Sequence, residues 1–140
     1  MSNEVRRLID ESWEQLQREL AAIPPDRLEE PGAVGEWSVK DLMAHLAVWD
    51  DVAASKAQRH LTGEQFPESE QLTWQELNDR EHAARAGWSV EQARREMEAA
   101  HARMLEALSR APDLEPEFWQ DDTYGHYIEH LGDLRQWRAG

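Results

Sequence analysis

No cysteine occurs anywhere in the 140 residues, which excludes disulfides, thiolate metal ligands and a thiol nucleophile supplied by this chain. Long apolar runs are missing too, since nothing approaches the roughly 20 consecutive apolar residues of a membrane span. The opening Met-Ser-Asn-Glu-Val-Arg-Arg has no apolar stretch of the signal-peptide kind, so the expectation is a cytoplasmic protein with no membrane partner. Positive charge is scarce: 15 Lys and Arg stand against 29 Asp and Glu, a formal charge of −14. The two basic pairs, Arg6-Arg7 and Arg94-Arg95, are embedded among acids. A surface this negative repels phosphate backbones, and no nucleic acid is expected as a partner. Glycine-rich phosphate loops and Ser/His/Asp constellations are absent, which excludes nucleotide-using and covalent hydrolase chemistry.

What the chain does have is helical periodicity, with no sustained alternation of the strand kind. Val5, Leu8, Ile9, Trp13, Leu16 and Leu20 recur every three or four positions over residues 3–22, an amphipathic helix that stops at Ile23-Pro24-Pro25. Ser38 reads as the N-cap of a second helix running to about His60, with Asp41 placed to complete a capping box. Residues 61–72 are turn-rich and acidic and look like the start of a crossover. Thr73-Trp74-Gln75-Glu76 opens a short helix to about Arg85, and Ser89-Val90-Glu91-Gln92 opens a long one to about Arg110. A last helix is expected from about Glu117 to Arg138. Four long helices in 140 residues predict an all-α, single-domain four-helix bundle over residues 1–140, with a long crossover between helices two and three carrying a short extra helix.

Three of the six histidines stand out. His126 and His130 lie four apart, one turn above the other on one helix face, a spacing that chelates one ion. His45 lies inside the second helix, on the shoulder of its apolar arc, and is the candidate third ligand. Three nitrogens leave a coordination position open, which is where metals do chemistry. Asp122 and Asp133, within a turn of one histidine or the other, are either partners that hold an imidazole tautomer or solvated surface acids. His60, His82 and His101 read as incidental. Of seven Trp, set against two Tyr and two Phe, Trp37, Trp49 and Trp137, together with Tyr127, are pocket-wall candidates, although filling a helical core is the commoner role for each. Asp50 and Glu129 are possible proton acceptors, although neither points well at the histidines on a helical wheel. No catalytic residue is assigned.

Gly35-Glu36-Trp37-Ser38-Val39-Lys40-Asp41-Leu42-Met43-Ala44-His45-Leu46 resembles the signature of the DinB/YfiT-like superfamily of small four-helix proteins, and particularly its ClbS/DfsB-type branch. Tyr124-Gly125-His126-Tyr127-Ile128-Glu129-His130-Leu131 resembles the same family's fourth-helix motif, and the likeness extends over nearly the whole chain, including Trp74 to Trp88 and His101 to Leu105. The resemblance implies a divalent metal, zinc or nickel, held by His45 from helix two and by His126 and His130 from helix four, with those two helices side by side. It implies a stress-response or detoxification enzyme acting on a small molecule: a thiol-dependent transferase using a low-molecular-weight thiol, or a metal-dependent hydrolase. It also implies a homodimer. The branch that protects cells from a genotoxic cyclopropane compound includes members that depart from the triad retained here. The alternative reading is a bundle that binds or sequesters a small molecule without catalysis.

Overall fold

Hydroxyl side chains start all the long helices but the last. In this computed structural model, which describes residues 1–64 and 72–140, the hydroxyls of Ser2, Ser38, Thr73 and Ser89 accept from the backbone N–H groups of Val5, Asp41, Glu76 and Gln92. They open α1 (Asn3–Ala21), α2 (Val39–Thr62), α3 (Trp74–Arg85) and α4 (Val90–Arg110). At α2 the box is reciprocal, because Asp41 Oδ2 accepts from the Ser38 N–H at 3.0 Å. Two further helices follow, α5 (Pro116–Gln120) and α6 (Tyr124–Ala139), and a single 3-10 turn spans Pro25–Arg27. Among the described residues there are no strands, only an isolated bridge between Val34 and Trp37, and no helix is long and apolar enough to cross a membrane. Within the stretch expected to open the crossover, residues 65–71 lie outside the described residues.

The fold is all-α, as the periodicity predicts, but the helix expected over residues 117–138 is two helices. Thr123 leaves helical geometry at φ −127°, ψ −106°, and its hydroxyl donates to the Trp119 carbonyl at 2.8 Å. A side-chain bond of that kind competes with the backbone ladder. Trp119, on the short α5, is fully buried.

The apolar stripes of α1, α2, α4 and α6 meet in one core around Ile9, Leu16, Leu42, Met43, Leu46, Met97, Met104, Leu108 and Leu134. The closest pairings are α2 on α4 and α1 on α6, so the second and third long helices are neighbours despite the crossover between them. Fully buried Ala53 and Ala57 on α2 and Ala93 and Ala100 on α4 present no bulk to hold those helices apart. Backbone approach is less close between α2 and α6, and long ring side chains bridge that gap. Ahead of α2, Gly35 turns the chain at φ +58°, which favours a residue without a Cβ. The Ala33 N–H then donates to the Trp37 carbonyl at 2.9 Å and the Lys40 N–H to the Leu28 carbonyl at 2.9 Å, fastening Trp37 at the mouth of the gap.

Candidate metal centre

Three imidazoles meet in the gap between α2 and α6. His126 Nε2 lies 2.9 Å from His45 Nε2 and 2.9 Å from His130 Nε2, and one nitrogen from each of the three rings lies within 4.8 Å of the others. His45 is two turns into α2, while His126 and His130 occupy successive turns near the start of α6. His126 and His130 are buried, and His45 is half-buried. The trio is the one cluster of three or more metal-capable side chains among the described residues.

The donor set suits a cation better than it suits protons. Burial pushes His126 down to about 2, with His130 and then His45 adding to the effect, and burial followed by His130 pushes His45 down to about 3. Both rings are therefore neutral at physiological pH. His130 Nδ1 is 3.0 Å from Asp133 Oδ2, which makes Nδ1 the protonated nitrogen and leaves the Nε2 lone pair facing His126. A nitrogen holds either one proton or one lone pair, so His126 Nε2 cannot serve both of its 2.9 Å contacts as well-directed hydrogen bonds. Its Nδ1 is buried with no hydrogen-bond partner. A single cation accepts all three lone pairs at once, and the cluster is able to hold a metal ion.

Above the imidazoles lies a cavity of about 410 Å³. Trp37 and Trp49 line it, their rings 4.9 Å and 6.4 Å from that of His45. The short helix α3 adds Trp74 and Asn78, with the Trp49 Nε1–H donating to Asn78 Oδ1 at 2.7 Å. Asp121, Asp122 and Glu129 complete the rim. His82 lies outside the trio: its ring stacks on Trp37 at 5.1 Å, and its Nε2 lies 3.4 Å from Asp41. The sequence signal for Trp74 is a large aromatic at the head of an otherwise polar helix.

Two of the expected pocket walls stand elsewhere. Trp137 shares the angular face of His126 but lies eleven residues further along, about 16 Å at the helical rise. It packs outside the cavity, under the Arg27 guanidinium at 4.2 Å. Tyr127 points into the core, where its hydroxyl donates to Asp50 Oδ2 at 2.6 Å and contacts His101 Nδ1 at 2.8 Å. With its proton given to Asp50, that hydroxyl accepts from His101, fixing the Nδ1–H tautomer. His101 stacks on Trp13 at 3.7 Å. Asp50 is thus a core acid, pushed up to about 8 by burial, and of the two proton-acceptor candidates only Glu129 lines the cavity. Asp133, for which the sequence left a surface role open, partners His130, whereas Asp122 pairs with Lys56 at 3.1 Å.

A helical bundle that brings one imidazole from its second long helix to two from its last defines a candidate metal-binding four-helix protein. The chain belongs to the DinB superfamily, whose family model matches residues 5–135. Among solved structures it is similar to an uncharacterised protein from Escherichia coli UTI89, with a TM-score of 0.78 at 20% identity over 96% of this chain and 90% of that one. It is also similar to the colibactin self-resistance protein ClbS, crystallised in complex with a dsDNA, with a TM-score of 0.76 at 16% identity over 95% of this chain and 92% of that one. At such identities the likeness concerns the fold. No curated protein matches it in sequence.

Proposed function

We propose that this protein is a divalent-metal-dependent enzyme that transfers a nucleophile, water or a low-molecular-weight thiol, to a small-molecule electrophile in a detoxification reaction. The observation that carries the reading is the convergence of the His45, His126 and His130 Nε2 atoms at the base of a Trp-walled cavity. His45, His126 and His130 would hold zinc or nickel, both suited to imidazole donors. Bound there, the ion would supply Lewis-acid chemistry, lowering the pKa of a nucleophile or polarising an electrophile. Asp133 holds the His130 tautomer, and Trp37 and Trp49 exclude water and orient the substrate. The dsDNA of the ClbS crystal is not carried over. A formal charge of −14 opposes a polyphosphate partner, and a cavity of about 410 Å³ matches a small molecule.

Elemental analysis of protein purified without a polyhistidine tag tests the reading. About one divalent ion per chain, lost in His126→Ala, is expected for a site with three protein ligands. Folded protein that carries no metal, and takes up neither zinc nor nickel on titration, contradicts it and leaves a sequestering bundle.

A further inference from the structure

The cavity has an aromatic and electrostatic character of its own, independent of the imidazoles at its base. Three indoles line it, and Trp74, 66% exposed, is the most exposed large hydrophobic side chain among the described residues. Trp49 commits its N–H to Asn78, so that what remains for a ligand is the ring. Among the described residues, the charged groups that line the rim are acidic. Lys56 neutralises Asp122, but its ammonium is also held by the Phe118 carbonyl at 3.0 Å. Asp121 and Glu129 have no ion-pair partner among the described residues, and residues 65–71, Gln-Phe-Pro-Glu-Ser-Glu-Gln, contain no cationic side chain.

Electron-rich ring faces beside unpaired carboxylates form an environment for an organic cation. We infer that the substrate class of this cavity is a small molecule bearing a permanent or protonated ammonium group, seated among Trp37, Trp49 and Trp74 with its charge toward Asp121 and Glu129. The inference rests on the reading of this cavity as the substrate site and specifies its ligand. Ring contact and charge act together: the indoles hold a methylated ammonium on its apolar surface, and the carboxylates distinguish it from an uncharged group of the same shape.

The test uses choline and its uncharged isostere 3,3-dimethylbutan-1-ol, titrated into the protein as purified, with binding read by calorimetry and by Trp fluorescence. Choline is expected to bind about tenfold more tightly, the size of one cation–π contact plus a weak ion pair. The preference should fall to near parity in the Asp121→Asn/Glu129→Gln double variant, and Trp74→Ala should weaken choline binding. These side chains are exposed, and an unchanged far-ultraviolet dichroism spectrum verifies the fold. Glu91→Gln/Glu98→Gln, which removes two exposed acids that do not line the cavity, should leave the preference intact. Equal binding of the two probes, no binding of either, or a choline preference that survives in Asp121→Asn/Glu129→Gln would overturn the inference. Metal content measured on the same samples separates the two readings. Stoichiometric metal without choline preference overturns this inference alone. Choline preference in protein that takes up no metal supports it and removes the metalloenzyme.

Discussion

His126 is the residue on which the centre turns, because both 2.9 Å contacts of the trio run through its Nε2. The i, i+4 spacing of His126 and His130 was visible in the sequence because helical geometry fixes it. His45 was visible as a shoulder residue on its helix, although its meeting with the other two required the fold. Asp133 contacts His130 at 3.0 Å, so Asp133→Asn should weaken metal binding by about 10–100-fold without removing a ligand. Competition titration with a chromophoric chelator measures this, and an unchanged affinity would leave Asp133 a surface acid. His101 stays outside the trio, in keeping with its incidental reading, as a buried, hydrogen-bonded ring that Trp13, Asp50 and Tyr127 reach from three other helices. For Trp137 the wheel angle matches that of His126 but the height along the helix does not, and a cavity selects on both.

At the scale of elements, the periodicity located the long helices because each buries one stripe. The interruption before α6 was missed because Trp119 and the residues of α6 share one angular phase. A signal was present in Asp121-Asp122-Thr123, three residues that favour caps and turns. Gly125 records the same break. A Cβ built on it would lie 2.6 Å from the Gln120 carbonyl oxygen, backbone that cannot swing aside. Gly125→Ala should therefore destabilise the protein by about 1–3 kcal/mol, read as a lowered midpoint in urea. Because the substitution sits next to His126, it should also loosen metal binding. A variant as stable as the parent would mean that α5 and α6 can separate at no cost. The short α3, with no buried residue, owes its position over the cavity to contacts such as the Trp49–Asn78 hydrogen bond and the His82–Trp37 stack, and in its polar sequence Trp74 is the one hint of that docking.

For the whole molecule, the buried titratable groups predict a stability optimum in pH. Burial lowers His101 to about 4, as it lowers His45 to about 3 and His126 to about 2, each from 6.5. The unfolded chain therefore binds more protons than the folded one below pH 6.5, and metal-free protein loses stability on acidification through that range. Asp50 works in the opposite sense. Its folded value, raised by burial from 3.8 to about 8, keeps a proton that the unfolded chain releases, so stability falls as pH rises from 3.8 to about 8. Below about pH 7 three histidines outweigh one aspartate, and above it the aspartate prevails. Urea denaturation in the presence of a chelator should show maximal stability just below pH 7, with an alkaline limb of about 0.7 kcal/mol per pH unit. Asp50→Asn should flatten that limb up to about pH 8. Stability that instead climbs from 6.5 to 8 would mean that Asp50 is ionised in the fold.

The global arrangement, α2 against α4 and α1 against α6, leaves the gap between α2 and α6 open enough for rings to meet across it. No local pattern in the sequence encodes that spacing, since it is a property of four stripes packing together. The most direct test of the account is X-ray absorption at the metal edge of the zinc- or nickel-loaded protein. It should show three imidazole nitrogens at about 2.0–2.1 Å with at least one further light-atom ligand, and the imidazole signature should be lost in His45→Ala/His126→Ala/His130→Ala. A metal that shows no imidazole scattering, or one bound equally well by the triple variant, would contradict it.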